Sequence, residues 1–335
     1  MEDDWIEIYD GGSPEAEKEI FRQLVQKMLA VQEANRQKAG AVHARRALHA
    51  KVIAAVSNAV LSIDENLPGS LRVSHFQPGA SLAATVRFSN ASGIPQPDGT
   101  ADMRGVAIRL DTGEGTFHDL LMTNFPVSHA RNARQFVEFA SIASGDRALM
   151  MERLEHTFGK SEAIRLVEAI AKGMRPCRSI ALERFWSRGA ILWGTVPVRF
   201  NLIPDASAAD AFLDTAVGGE GLREELAARL AERELRYRLA IQHYKNELVT
   251  PIEDGAVEWT EIASPSIEIA TLRIPKQDIQ GIEGRHQMSA IDALAFNPWN
   301  APAQFRPLGN LNRARRDVYG ATAHHWQRPM ATKDG

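Results

Sequence analysis

Apolar and polar positions change rhythm several times along the chain, and each change marks an element. Ile20, Phe21, Leu24, Val25, Met28 and Leu29 recur at the spacing of one helix face. Ser13-Pro14-Glu15, just before them, offers a capping hydroxyl, a first-turn proline and an early acid. An amphipathic helix is therefore predicted over 14–38. From Leu71 to Leu121 the rhythm shortens to alternation, and 71–74, 84–88 and 105–110 read as strands. The Pro- and Gly-rich stretch 93–100 reads as a loop. Helical periods return over 146–173, 205–216 and 219–243; in the last, glutamates lead and arginines follow, which suits the helix dipole. Residues 189–203 and 267–274 are strand-like, 235–247 can switch from helix to strand, and the stripe from Leu226 to Leu239 reads as core. A last helix carries Arg315 and Tyr319. Many strands spaced by turns, with helices interspersed, imply an α+β fold on an antiparallel sheet or barrel.

The 335 residues suffice for an ample core. The division expected is an N-terminal helical arm over 1–40, which suggests exchange within a homodimer, and a single domain over 41–335. The net charge of −3 and the lack of a basic stripe speak against nucleic acid as a partner. No apolar run reaches the roughly 18 residues of a membrane span. The acidic start Met1-Glu2-Asp3-Asp4-Trp5 lacks the layout of a secretory signal. The single cysteine, Cys177, excludes an internal disulfide and any cysteine-built zinc or iron–sulfur cluster. It reads as a buried structural thiol rather than a haem thiolate, and a reducing cytoplasm is the expected location.

Arg315 and Tyr319, four residues apart, share one helix face. A free phenol, with a pKa near 10, ligates metal poorly at neutral pH, and a guanidinium one turn away favours the phenolate. Such a pair could give a ferric haem an anionic oxygen ligand. Upstream stand Arg46-Ala47-Leu48-His49-Ala50-Lys51, Thr85-Val86-Arg87-Phe88-Ser89, Asp102-Met103-Arg104-Gly105-Val106-Ala107-Ile108-Arg109 and Asp119-Leu120-Leu121-Met122-Thr123-Asn124-Phe125-Pro126. This ordered series, with the Tyr319 helix, resembles the haem catalases and their short catalase-related peroxidase relatives from about Arg46 to Tyr319. Thr250-Pro251-Ile252-Glu253-Asp254-Gly255-Ala256-Val257-Glu258-Trp259 also looks like the short proteins.

The resemblance implies an eight-stranded antiparallel barrel with helices outside and haem b buried at its side. It implies Tyr319 as the iron ligand, with Arg315 moderating the phenolate. His49 would be the distal acid/base, since an imidazole can take a proton from one peroxide oxygen and return it to the other at neutral pH. Ser89 would orient the imidazole, Arg46 and Arg87 would pair with the haem propionates, and Phe136 would stack on the haem. The distal amide position holds Thr123 with Asn124 beside it, so either can face the haem.

Other departures bear on activity. Ser128 stands where catalases carry a Phe, which would open that side of the pocket. Val52-Ile53-Ala54-Ala55 replaces a Gly-rich tract. After Tyr319 the His and Arg of the family are replaced by Ala323 and Trp326, with Arg328 a partial substitute. The wrapping and C-terminal regions of a full-length catalase are missing. The implied function is a hydroperoxidase cleaving hydrogen peroxide or organic hydroperoxides through a ferryl intermediate, with an organic reductant as a second partner. The alternatives are a rearranging enzyme similar to allene oxide synthases and a haem carrier or sensor without turnover. Adjacent His324 and His325 point in different directions on a helix and make a poor metal site.

Overall fold

The computed structural model describes residues 5–205 and 221–327. All but the first residue of the helix predicted over 205–216, and Arg328, lie outside the described residues. The first helix, α1, spans Pro14–Lys38 as its capping signals predict; the Ser13 hydroxyl accepts from the Ala16 amide at 3.1 Å. Its apolar stripe, Phe21, Leu24, Met28 and Val31, is buried.

Nine strands follow: β1 (Val52–Ile63), β2 (Ser81–Asn90), β3 (Arg104–Gly113), β4 (Thr116–Thr123), β5 (Phe185–Ser187), β6 (Ile191–Trp193), β7 (Val196–Pro204), β8 (Leu235–His243) and β9 (Ile267–Ile274). Every pairing is antiparallel. The order runs β5-β4-β3-β2-β1-β9-β8-β7, and β5 pairs again with β7, closing an eight-stranded barrel. The ninth strand, β6, pairs with β7 end to end with β5. Closure leaves no free edge around the ring. Val86, Phe88, Val106, Ile108, Leu110, Leu120 and Met122 alternate inward, each at most 3% exposed, and join the barrel core with Phe185, Phe200, Leu239 and Leu272.

Helices cover the outside: α2 (Ala133–Ala143), α3 (Met150–Phe158), α4 (Lys160–Gly173), α5 (Gly221–Glu232), α6 (Ile282–Asp292) and α7 (Asn310–Gln327). The stretch predicted as one helix over 146–173 is broken at Gly159, whose φ of 80° ends α3 and starts α4. Residues 71–74 are no strand: a 3-10 turn at Gly69–Leu71 leads to a single bridge between Val73 and Phe76. Pro68-Gly69 and the left-handed Ser74 (φ 47°) bend the chain there, so apolar alternation plugs the barrel end instead of pairing. The helix predicted over 219–243 ends at Glu232, and the stretch where a switch is expected, 235–247, is strand from its first residue as β8.

The stripe of α1 packs on Ala133 and Val137 of α2 and Ala314 of α7. Beside it, buried Arg313 of α7 binds Glu17 and Glu253 and bonds Glu7 at 3.2 Å. Burial opposes the Arg313 charge, but the carboxylates prevail and hold its pKa above the usual value. This network fixes α7, and hence Tyr319, against the N-terminal segment. Among the described residues no helix is long and apolar enough to cross a membrane.

Candidate functional site

The site lies on the outer face of the barrel, and strand alternation decides which side chains reach it. Because Val86 and Phe88 point inward, Arg87 and Ser89 point outward. Ser89 faces Gly105 across β2 and β3, and Gly105 faces Thr123 across β3 and β4. The three therefore form one outward row. His49, in the approach to β1, lies over it: its Nδ1 is 3.0 Å from Ser89 Oγ. A Cβ at Gly105 would come within 2.5 Å of the His49 ring. The row thus includes a cradle that only glycine leaves open.

His49 itself is held in an unusual conformation, with φ 56°. A non-glycine residue there costs about 1–3 kcal/mol, which the surroundings must offset. Its amide donates to the Ala91 carbonyl at 2.9 Å, and Arg87 Nη2 donates to the His49 carbonyl at 2.9 Å. Desolvation first, then the charges of Arg87, Arg188, Arg315 and Arg46, lower the imidazole pKa to about 3. The ring is neutral at physiological pH and, among the described residues, its Nε2 has no hydrogen bond.

Asn124 is not brought to this face. One residue beyond Thr123, it points with Asn90 and Arg104 to the opposite side, as a period of two requires. Its Oδ1 accepts from the Arg104 amide at 2.7 Å and its Nδ2 donates to Glu183 Oε2 at 2.9 Å. Named with Thr123 as a candidate distal residue, Asn124 is a buried amide on the opposite face, while Thr123 lies on the row of Gly105 and Ser89.

On α7, Arg315 donates to the Tyr319 hydroxyl at 3.1 Å and to Asn312 Oδ1 at 2.9 Å. The guanidiniums of Arg46 and Arg188 lie within electrostatic reach of both Tyr319 and His49. The final helix and the approach to β1 thus meet around a shared ring of arginines.

Arg46 and Arg87, the expected propionate pair, already share an acid. Arg87 Nε donates to Asp292 Oδ1 at 2.8 Å, and Arg46 Nε lies 3.9 Å from the same oxygen. Arg46 also caps the end of α6 through the carbonyls of Asp292 and Leu294, at 2.5 and 2.7 Å, which favours a cation there. Its guanidinium lies 4.7 Å from the centre of the Trp326 ring. Asp292 was missed because α6 has only a weak apolar period. Phe136 packs among the helices, its ring centre 4.9 Å from that of His129.

Arg188, in the turn from β5 to β6, is the second residue sequence reasoning missed. It donates to Thr123 Oγ1 at 3.1 Å and to the Val127 carbonyl at 2.6 Å. Nothing in the local sequence marks it; the pairing of β4 with β5 brings it beside Thr123. Ser128, buried, accepts from the Ala130 amide at 3.1 Å. Cys177 is buried and its thiol pKa is pushed up to about 12, mainly by desolvation. Among the described residues no group of three or more His, Cys, Asp or Glu could hold a metal ion.

A guanidinium-paired phenol on one element and a neutral imidazole with an unbonded nitrogen on another are donors whose chemistry would suit a ferric haem. The sequence model of the catalase family matches residues 19–158. No curated protein matches. Among solved structures, a fungal catalase superposes at a TM-score of 0.70 with 18% identity, over 87% of this chain and 61% of that one. A bacterial catalase gives 0.65 and 17%, over 86% and 60%, and catalase A from Saccharomyces cerevisiae 0.65 and 13%, over 85% and 61%. The chain therefore spans about three-fifths of each of these catalases. Over residues 19–158 the chain matches the sequence model of the catalase family, and over most of its length it has the catalase fold.

Proposed function

We propose that the protein is a haem b-dependent hydroperoxidase of the short catalase-related peroxidase type, acting on hydrogen peroxide or organic hydroperoxides. The observation that carries this reading is the neutral His49, held by Ser89 over Gly105, within the same arginine ring as Tyr319. When bound, haem iron would supply the Lewis acid and redox centre at which a peroxide bond is cleaved.

The protein's part is binding and proton transfer. Tyr319 would hold the iron through its oxygen, and the Arg315 hydrogen bond withdraws electron density from that oxygen. His49 would take the proton of the hydroperoxide on Nε2 and return it to the departing oxygen. Its depressed pKa keeps it a free base throughout the physiological range. The Ser89 contact sets the ring's orientation. Thr123 offers a hydroxyl where an amide would bind peroxide more firmly, which favours peroxidase turnover with an organic reductant over fast dismutation. Arg46 and Arg87 would hold propionates in competition with Asp292.

The test is the protein reconstituted with haem and given hydrogen peroxide, then cumene hydroperoxide, each with a phenolic electron donor such as guaiacol. Consumption of the alkyl hydroperoxide to its alcohol, slowed about 10²–10⁴-fold in His49→Gln, is expected. A ferric protein inert to excess peroxide would overturn the reading. A rearranged product from a fatty acid hydroperoxide would move it to the allene oxide synthase-like alternative.

A further inference from the structure

Four guanidiniums surround His49, and three have evident partners: Arg46 and Arg87 share Asp292, and Arg315 bonds Tyr319 and Asn312. Arg188 is different. Its Nη1 donates to the Thr123 hydroxyl and the Val127 carbonyl, both uncharged. Among the described residues its Nε and Nη2 donate to nothing, and no carboxylate pairs with it. Those two nitrogens are not sealed in the protein interior. The side chain lines a small recess of about 10 Å³, open to one side, with Ser187, His118, Asn312 and Arg315.

The carboxylate on that recess, Asp119, is committed elsewhere. It takes Arg109 bidentately at 2.7 Å for each bond, and also accepts from the Asn297 amide and Asn300 Nδ2. A partly buried cation beside the Arg315 charge, with no counter-ion, is less favourable than one for which a ligand supplies the opposite charge. A second group nearby is also unfulfilled. His129, two residues past the carbonyl that anchors Arg188, is 8% exposed, and neither ring nitrogen has a hydrogen bond.

We propose that Arg188 is a carboxylate-docking residue, whose Nε and Nη2 form the fork that receives the carboxylate of an incoming ligand. Two sources carry that chemistry: a propionate of the porphyrin, which rests on the haem reading above, or the acid group of an organic hydroperoxide.

Calorimetric titration separates them, using wild type, Arg188→Met and Arg188→Lys. In one arm the haem-free protein is titrated with haem and with haem dimethyl ester. In the other the haem-loaded protein is titrated with octanoate and with 1-octanol. The expected result is that Arg188→Met weakens the acid ligand at least ten-fold in one arm and leaves its neutral analogue within two-fold, with Arg188→Lys between. A loss in the first arm assigns the propionate, and a loss in the second assigns the substrate acid. A purely structural role, through Thr123 and Val127, would weaken acid and neutral ligands alike. That outcome, or no change in either arm, overturns the proposal. If the chain binds no haem, the proposed function fails by itself, and octanoate titration of the haem-free protein still decides the role of Arg188. Should Arg188→Met fail to fold, Arg188→Gln replaces it.

Discussion

Gly105 and His49 share one small volume: a Cβ on the glycine would stand 2.5 Å from His49 Cε1 and 2.6 Å from Nδ1. Both neighbours are fixed, since the ring is bonded to Ser89 and the glycine is paired on both sides within the sheet. Gly105→Ala must therefore push the imidazole off Ser89. The expected outcome is a fold destabilised by about 1–3 kcal/mol in urea, with the reaction with peroxide slowed at least ten-fold by stopped flow at equal haem content. An unslowed reaction would show that the ring's position is not what matters.

Thr123 and Asn124 offer a test of strand parity. Asn124→Ala leaves the buried Arg104 amide without a partner and Glu183 with only Arg175, and should cost about 1–3 kcal/mol of stability for the unsatisfied amide. Thr123→Val should cost less in urea unfolding but alter the peroxide reaction, because only its hydroxyl shares the face of His49. Opposite results would place the distal group on the wrong residue.

Asp292 and a propionate want the same two arginines. Asp292→Asn removes the competing charge, so it should tighten haem several-fold while leaving haem dimethyl ester unchanged. Weaker haem binding would instead mean that Asp292 holds Arg87 in the receptive position.

Acid should unfold this protein early. Desolvation is the main cause that lowers His118 and His129 to pKa values of about 3, with His75 adding to the first and Arg188 and Arg165 to the second. A histidine whose folded pKa is depressed stabilises the fold fully above its unfolded pKa, near 6.5. It loses that contribution as pH descends from there towards 3. At pH 5 each should have lost about 2 kcal/mol. Urea unfolding between pH 7.5 and 5 should show the decline, and His129→Phe should make it shallower. A flat profile would mean that these rings are hydrated.

Much of this was legible in the chain and some was not. Ser13-Pro14 marked the first helix because a cap is local chemistry, and 267–274 alternates because one strand face is core. The order of His49, Ser89 and Tyr319 along the chain pointed to the site because those residues do chemistry that few others can. Parity around Thr123 was not legible: a one-residue shift reverses the face, and only the pairing of β3 with β4 fixes it. Arg188 and Asp292 were invisible for a related reason. Each reaches the site through strand pairing or helix docking, more than 60 residues from Thr123 and 200 from Arg87 in sequence.

The central claim is that a haem is held through Tyr319 opposite His49, and the absorption spectrum of the purified protein tests it most directly. The account predicts a high-spin ferric Soret band with the charge-transfer bands of phenolate ligation, lost or shifted in Tyr319→Phe and retained in His49→Gln. A wild-type protein that stays colourless after haem is supplied, or a spectrum identical in Tyr319→Phe, would contradict it.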